Sequence, residues 1–219
     1  MHRHRGGRIF FGRRAWRRVT SRNDQRARLR TQREQLTPAE RIAAATAVAA
    51  TLEQLPEFLV DQRVAGYWAV AGELPLHVVL SALTARGQRY HLPVLAPGRT
   101  LRFAPWRRDV ELQPNRFGIP EPRCPASALL APEAMELILV PLMAFDRRGH
   151  RLGTGGGFYD RSFAFLKTVA RPAQPLLVGI GYAFQEVAAL AEASWDIRMD
   201  FVATERELID CTPAALPQA

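Results

Sequence analysis

Residues 139–161 form the stretch of sequence that decides the fold, LVPLMAFDRRGHRLGTGGGFYDR. The stretch begins inside a nearly continuous apolar run, Glu136–Phe145, of the kind found in strands that are covered on both faces. A polar turn follows, and an amphipathic segment, Phe158–Val169, then has the periodicity of a helix. Four glycines lie between the polar turn and this amphipathic segment: Gly153, Gly155, Gly156 and Gly157. The stretch therefore predicts a buried strand, a glycine loop and the start of a helix.

A loop of this kind can bind an anion. Glycines carry no side chain, so backbone N–H groups can approach a ligand closely, and the start of the following helix adds its dipole. Arg151 precedes the loop and Arg161 follows it, and either guanidinium can make a bidentate contact with phosphate. The common nucleotide fingerprints are absent, because Phe158 stands where they need lysine or glycine. A purely structural connection stays open as an alternative on this evidence alone.

The segments around this stretch alternate between helical and strand patterns. Helices are predicted at Asn23–Gln35, from Pro38 to Leu55 behind an N-cap at Thr37, at Pro75–Arg86 and at Gln185–Ala191. Strands are predicted at Val64–Val70, Tyr90–Leu95, Leu101–Trp106, Leu176–Tyr182 and Asp200–Thr204, with an extended, proline-rich segment at Pro114–Pro125. This alternation predicts an α/β fold of three layers, α/β/α, around a mostly parallel sheet.

The net charge of +9 is confined to one end of the chain. Residues 1–30 hold eleven arginines and one aspartate, which gives this segment +10 and leaves −1 for residues 31–219. A basic face across the fold, the usual footprint of a nucleic-acid-binding domain, is therefore not expected. We predict a basic, disordered arm at 1–21, a single α/β domain at 22–210 and a C-terminal tail at 211–219. For the arm, an organellar presequence, a tail for RNA or anionic lipid and a misplaced start codon are open alternatives.

The rest of the composition is that of an ordinary globular protein, with 47% hydrophobic and 23% charged residues. The longest apolar run is strand-sized, well short of the roughly 18–20 residues that a membrane-spanning helix needs. Cys124 and Cys211 form no CxxC pair, so neither a zinc site nor a disulfide framework is expected, and a reducing, cytoplasmic location fits. His77, His91 and His150 share no metal-ligand spacing and are expected to be structural or exposed.

The glycine stretch resembles the signature of the 5-formyltetrahydrofolate cyclo-ligases. That signature is Arg-Leu-Gly-x-Gly-x-Gly-(Phe/Tyr)-Tyr-Asp-Arg after a strand ending Pro-x-x-Ala-Phe-Asp, and both parts occur between Pro141 and Arg161. The resemblance extends over about Arg22 to Ile209 and includes, in order, the basic helix Arg22–Arg30, Tyr67 with Glu73, His91–Pro93, Phe103 with Trp106, Gly118–Pro122, Trp195–Asp200 and Thr204 with Glu205. It implies a Rossmann-like fold similar to that of sugar-phosphate isomerases and coenzyme A transferases.

The resemblance also implies a reaction. MgATP drives the conversion of 5-formyltetrahydrofolate into 5,10-methenyltetrahydrofolate, through a phosphorylated formyl (iminium phosphate) intermediate, with release of ADP and phosphate. By resemblance, the ATP-binding residues are Arg22, Arg26, Arg151, Leu152, Gly153, Thr154, Gly155, Gly156, Gly157, Phe158 and Tyr159, and Arg151 and Tyr159 are also expected to be catalytic. The folate-binding residues are Trp68, Glu73, Thr154, Gly155, Gly156, Gly157 and Phe158, and the Mg²⁺ ligands are Asp160 and Asp196.

Each of these residues could also have a purely structural role. Without the resemblance, Arg22 and Arg26 would fit a solvated helix face, and Glu73 an exposed loop acid. Trp68 would fit the core, and the two aspartates a helix start and a turn. The chain also departs from the family pattern. Arg22 replaces a lysine of many relatives, Gly156 stands where some have lysine, Phe158 where many have tyrosine, and Trp195 where many have histidine, which leaves the setting of Asp196 open.

Two other functions stay open beside the folate reaction. One is a diverged ATP-binding protein of the same fold with another substrate, and the other is nucleic-acid binding through the arm. The retained Glu73 and the complete glycine loop favour the folate reaction. The expected partner is therefore a reduced formyl folate, bound by a monomer, with neither a membrane nor a nucleic acid as partner.

Overall fold

Two capped helices begin the described part of the chain, which is residues 21–212 of a computed structural model. In both helices, α1 (Arg22–Gln35) and α2 (Pro38–Leu52), a hydroxyl of the N-cap residue accepts a hydrogen bond from the backbone N–H three residues on. An acid at that position bonds back to the cap, which completes a capping box. The predicted N-cap at Thr37 is thereby confirmed. Nearly all of the predicted arm and C-terminal tail lies outside the described residues.

Seven of the described strands form one sheet, and the other four form two antiparallel pairs. In chain order the strands are β1 (Arg63–Ala65), β2 (Arg89–Ala96), β3 (Thr100–Pro105), β4 (Leu112–Pro114), β5 (Pro120–Pro122), β6 (Leu137–Pro141), β7 (Ala144–Phe145), β8 (Arg151–Leu152), β9 (Leu176–Ile180), β10 (Phe201–Ala203) and β11 (Leu208–Asp210). The sheet order is β11-β10-β9-β6-β1-β2-β3. The five strands from β10 to β2 run parallel, and β11 and β3 pair antiparallel at the two edges. The predicted, mostly parallel sheet is confirmed.

Helices cover both faces of the sheet. They include α3 (Pro56–Val60), α4 (His77–Ala85) and α5 (Phe158–Ser162). Alternate side chains of β6 show the two faces, since Leu137 and Leu139 pack in one core with α2 and α4. Ile138 and Val140 pack in the other core with Phe163, which follows α5. The three-layer α/β/α prediction is confirmed, and no helix within residues 21–212 is long and apolar enough to cross a membrane.

Several predicted elements are shorter than the sequence suggested. The strand predicted at Val64–Val70 ends at Ala65, where the chain leaves the sheet for a loop. The apolar run Glu136–Phe145 breaks after Pro141, because the Met143 amide bonds to the Leu152 carbonyl at 2.7 Å and so starts the β7–β8 hairpin.

The other two corrections concern helices. The segment Phe158–Val169 is one short α-helix, α5, followed by a 3-10 turn at Ala164–Thr168. The helix predicted at Gln185–Ala191 is wrong, because only a 3-10 turn, Ala183–Gln185, is present. After that turn, the backbone bonds to other segments instead of to itself: the Val187 amide reaches the Phe145 carbonyl at 2.9 Å, and the Leu190 amide reaches Asp146 Oδ2 at 3.0 Å.

Candidate active site

A cavity of about 660 Å³ opens at the carboxyl ends of β1 and β6. These two strands are neighbours, but the chain leaves β1 toward β2 on one side and returns to β6 on the other. Ligands of open α/β sheets bind in the crevice at such a switch point. All fifteen residues predicted as site residues line this one cavity: Arg22, Arg26, Trp68, Glu73, Arg151, Leu152, Gly153, Thr154, Gly155, Gly156, Gly157, Phe158, Tyr159, Asp160 and Asp196.

The glycine loop follows β8 and leads directly into α5. Gly155 and Gly157 have φ values of +106° and +66°, in the region that favours glycine. Within residues 21–212, the backbone amides of residues 154–158 donate no hydrogen bond to another protein group. Since α5 has only five residues, its dipole is small, and anion binding here depends on the loop amides and on nearby arginines.

Arg151 is the buried arginine of the site, with only 7% of the residue exposed. Its Nη2 donates to Asp160 Oδ1 at 2.8 Å, and its Nη1 donates to the Ile197 carbonyl at 2.9 Å. Asp160 Oδ1 also accepts a bond from the Ile197 amide at 3.2 Å. These contacts fix the guanidinium and connect the loop and α5 to the segment that carries Asp196.

Helix α1 brings two more arginines to the cavity. Arg22 Nη2 donates to Asp196 Oδ2 at 2.6 Å. Arg26 Nε donates to the Gly153 carbonyl at 2.9 Å, so that its guanidinium lies beside Gly155. Burial and, secondarily, the neighbouring Arg22 lower the pKa of Arg26 from its usual value. Positive charge is therefore concentrated at the loop, as a polyphosphate site requires.

The cavity lining also includes Glu73 and Trp68. Glu73 follows a tight loop, and its Oε2 accepts a bond from the Val70 amide at 3.1 Å. Burial raises the pKa of this carboxyl, and the Val70 bond and the nearby Arg33 only partly oppose that effect. The Trp68 ring is 37% exposed and meets the Trp106 ring edge-on at a centroid distance of 6.0 Å. An acid and an open aromatic face can bind a flat, nitrogen-rich ring.

Tyr159 also lines the cavity. Burial raises the pKa of its phenol well above the usual value, with Glu73 adding to the effect. The hydroxyl is therefore protonated at neutral pH and can donate a hydrogen bond to a ligand. Its ring packs against Phe163 at a centroid distance of 5.8 Å, which holds it in place.

Several lining residues were not predicted as site residues. Phe117 and Trp195 are 57% and 66% exposed and line the cavity as open aromatic surfaces. Glu121 is 9% exposed, and its Oε1 accepts bonds from the Leu95 amide at 2.9 Å and from Asn115 Nδ2 at 2.8 Å. Its motif, Gly118–Pro122, was recognised in the sequence but without a role. Trp195 could have been predicted as a lining residue, because it directly precedes Asp196 in the sequence.

The three histidines lie outside the cavity lining, as structural or exposed residues. His91 is buried, with Nδ1 3.3 Å from the Val64 carbonyl, and His77 is exposed at the start of α4. His150 lies between Asp146 and Glu192, with nitrogen–oxygen distances of 3.0 and 3.3 Å. Within the described chain, no group of three or more histidine, cysteine, aspartate or glutamate side chains is arranged to hold a metal.

The sequence of the chain was compared with models of known protein families. The model of the 5-formyltetrahydrofolate cyclo-ligase family matches residues 18–205. The chain belongs to this family. It is thus an enzyme of the cyclo-ligase family, and the matched residues include both α1 and the glycine loop.

Individual cyclo-ligases agree with this assignment. The 5-formyltetrahydrofolate cyclo-ligase of Escherichia coli K12 is 33% identical over 181 residues, which are 80% of this chain and 96% of that protein. The Haemophilus influenzae enzyme of the same name is 32% identical over 64% of this chain and 75% of its own length. Among solved structures, the 5,10-methenyltetrahydrofolate synthetase of Aquifex aeolicus matches with a TM-score of 0.75 and 30% identity, covering 90% of this chain and 96% of that one.

A more distant synthetase structure agrees in fold alone. The Mycoplasma pneumoniae protein has a TM-score of 0.65 at 22% identity.

Two carboxylates of this protein are suitable ligands for a magnesium ion that is also bound by phosphate. Asp160 and Asp196 each use one carboxylate oxygen to bind an arginine and a backbone amide. Within residues 21–212, the other oxygen, Oδ2 of Asp160 and Oδ1 of Asp196, accepts no hydrogen bond. Mg²⁺ is usually bound by one or two carboxylates, with water and substrate phosphate completing its shell. The donor set is therefore suitable for that cation beside the glycine loop.

Proposed function

We propose that this protein converts 5-formyltetrahydrofolate into 5,10-methenyltetrahydrofolate with MgATP, releasing ADP and phosphate. The observation that carries this proposal is that one cavity contains the anion-binding loop, three arginines, two carboxylates, a further acid and an open aromatic face. Relatives named for this reaction share the family and most of the chain length.

ATP is needed because a formamide oxygen is a poor leaving group. Transfer of the γ-phosphoryl group to the formyl oxygen gives an iminium phosphate. N10 of the folate then attacks the formyl carbon, N10 loses its proton, the ring closes and phosphate departs. For such a reaction an enzyme supplies mainly positioning and charge stabilisation, and no nucleophile of its own.

The residues of the chain divide between the two substrates. The amides of residues 154–158, with Arg22, Arg26 and Arg151, bind the phosphates of ATP, and Glu73 and Trp68 bind the pterin ring. Thr154–Phe158 also contact the folate, so the two substrates meet at the glycine loop. A bound Mg²⁺ supplies charge neutralisation of the phosphates, and Asp160 and Asp196 hold it.

Arg151 and Tyr159 act where the phosphoryl group is transferred. Arg151 is fixed by Asp160 and the Ile197 carbonyl, so its charge needs little reorganisation during the reaction. Tyr159 is neutral and donates a hydrogen bond to a ligand oxygen, since burial keeps its phenol protonated.

The first test follows the near-UV absorbance of the methenyl product with purified protein, 5-formyltetrahydrofolate and MgATP. The Asp160→Ala variant is expected to lose about 100-fold or more in kcat/KM, because it loses a metal ligand and leaves Arg151 unpaired. Asp109→Ala, which changes an exposed loop acid outside the cavity, is the matched control. A folded, ATP-binding wild-type protein that forms no product would overturn the proposed reaction.

A further inference from the structure

The side chain of Glu121 is a buried carboxylate of the cavity lining to which the proposed reaction so far gives no role. Only 9% of the residue is exposed. Its Oε1 accepts hydrogen bonds from the Leu95 amide at 2.9 Å and from Asn115 Nδ2 at 2.8 Å, whereas within residues 21–212 its Oε2 accepts none. One oxygen of the carboxylate is therefore held by the protein, and the other is left for a ligand.

Asn115 fixes the orientation of this carboxylate. While its Nδ2 donates to Glu121, its Oδ1 accepts bonds from the amides of Phe117 at 2.8 Å and Ile119 at 3.1 Å. The turn between β4 and β5 is thereby joined to the Glu121 side chain. The second donor to Glu121, the Leu95 amide, belongs to β2 of the main sheet. An acceptor that two separate elements hold in place needs little reorganisation during a reaction.

Glu121 differs from the other acids of the lining. In the described part of the chain the lining contains four carboxylates and no histidine. Asp160 and Asp196 are each paired with an arginine, and we assign Glu73 to the pterin ring. No salt bridge within residues 21–212 involves Glu121. Its free oxygen is therefore not occupied by a guanidinium or, in our assignment, by the metal.

Ring closure needs a proton acceptor. N10 of the folate carries one hydrogen, and N10 becomes positively charged when its lone pair forms the bond to the formyl carbon. Once this proton has left, the lone pair that remains on N10 can expel phosphate, which departs with the electrons of the C–O bond. Tyr159 cannot take the proton, because its phenol is already protonated. A positioned carboxylate is a common general base for such a step.

The surroundings of Glu121 connect it to the segment where the two substrates are proposed to meet. Through Asn115, the carboxylate is joined to the backbone of Phe117. The Phe117 ring meets the ring of Phe158, the last residue of the loop segment that we assign to both substrates, at a centroid distance of 5.8 Å. A fixed proton acceptor is thus coupled to the part of the cavity in which the ring would close.

We propose that Glu121 is the general base of ring closure and that its Oε2 takes the proton of N10. This inference rests on the proposed function, because it takes the folate as the substrate. The step is balanced: the bond from N10 to the formyl carbon forms, the proton of N10 goes to Glu121, and the C–O bond breaks with its electrons on phosphate. The protonated Glu121 returns its proton to solvent after the product leaves.

A single-turnover experiment separates ring closure from phosphoryl transfer. Enzyme in excess is mixed with 5-formyltetrahydrofolate and MgATP, and ADP and the methenyl product are followed in parallel. In wild type the two products should appear together. Glu121→Gln keeps the size of the side chain and an oxygen for the Leu95 amide, so ADP should still form rapidly. The methenyl product should form about 100-fold more slowly, the usual contribution of a general base. Glu133→Gln changes an exposed acid outside the lining and should behave as wild type.

Chemical rescue tests whether proton transfer is what the side chain supplies. Glu121→Ala removes the carboxylate and leaves space for a small one, so formate is expected to raise its rate of product formation about tenfold or more, whereas chloride is not. Product formation by Glu121→Gln within about twofold of wild type would overturn the assignment of the base. So would equal slowing of ADP and product in that variant, or a folded Glu121→Ala protein that does not respond to formate. Each of these results leaves the proposed reaction standing, whereas a wild-type protein that forms no product overturns both.

Discussion

Glu73 is a carboxylate whose surroundings oppose its charge. Burial raises its pKa above the ordinary value, so the folded protein holds this proton more tightly than the unfolded chain does. The tighter proton binding adds to the free energy of unfolding below about pH 4, where the carboxyl is protonated even in the unfolded chain. This contribution is lost as the pH rises through the raised pKa of the folded protein. The charge to which we assign folate binding is therefore kept at a cost to the stability of the fold.

The Glu73→Gln variant should show this cost directly. Glutamine does not titrate, so the variant is expected to melt at a higher temperature than wild type at pH 7 and at the same temperature near pH 4. At the same time the KM for the folate should rise about 10- to 100-fold, because a charge-assisted bond is lost. Differential scanning calorimetry across pH measures the first effect, and steady-state kinetics measures the second.

Glu34→Gln changes an exposed glutamate of α1 and should alter neither property. A Glu73→Gln protein that is less stable than wild type at pH 7, or that binds folate normally, would contradict the assignment.

Some site residues could be predicted from the sequence and others could not. The glycine loop and Asp160 could be located because they lie in one continuous motif, and Glu73 because the resemblance placed it. Phe117 and Glu121 belong to a separate segment of the chain, and only the folded structure brings that segment to the cavity. An exposed phenylalanine and a nine-tenths-buried glutamate have no local pattern that marks them as neighbours of the loop.

At the scale of elements, the glycine loop needs backbone conformations that other residues avoid. Gly157 has a φ of +66°, and a Cβ added there would lie 3.0 Å from Arg161 Nη1. Gly87, at the end of α4, has a φ of +75° with no atom within 4 Å of an added Cβ. The two positions share the backbone strain and differ in their surroundings.

This pair of glycines gives a matched test. Gly157→Ala and Gly87→Ala should each lower the free energy of unfolding by about 1 kcal/mol, the cost of a left-handed alanine. Only Gly157→Ala should also raise the KM for ATP, by about tenfold or more, because the added methyl group crowds Arg161 of α5 and displaces the neighbouring loop amides. Chemical denaturation and ATP-dependent kinetics measure these effects. Equal ATP kinetics in the two variants would argue against a phosphate-binding role of the loop.

The elements were predictable to the extent that their signals are local. Helix α2 has its capping box and β9 its apolar run, and both were located from sequence. The break after β6 and the loop after Ala183–Gln185 were not, because contacts with distant segments decide them. The Met143 amide bonds to the Leu152 carbonyl at the β7–β8 hairpin. The Leu190 amide bonds to the carboxylate of Asp146, which directly follows β7.

At the scale of the whole molecule, the charge distribution separates the arm from the enzyme body. Residues 1–30 carry +10 and the remaining residues −1. Among the described residues of that segment, 21–30, only Arg22 and Arg26 line the cavity. Ser21 caps α1, so a truncation that keeps Ser21 preserves the helix that carries both arginines. We therefore expect that residues 1–20 can be removed without disturbing the predicted ATP site.

A protein lacking residues 1–20 is expected to retain kcat/KM within about twofold, since long-range charge effects on a small substrate are screened at physiological salt. The methenyl-product assay measures this. Electrophoretic mobility shift with single-stranded RNA, at two salt concentrations, is the companion measurement for the full-length protein. Loss of folate turnover on truncation, with the fold intact by circular dichroism, would show that the arm belongs to the catalytic unit.

Helix α1 is joined to the far end of the chain by the bond from Arg22 to Asp196, across 174 positions of sequence. During synthesis on a ribosome, Arg22 emerges long before its partner, because 174 positions of sequence separate the two residues. A nascent chain that ends before Asp196 can form the glycine loop but not the closed wall beside it. The candidate site therefore becomes complete only after Asp196 itself has left the ribosome.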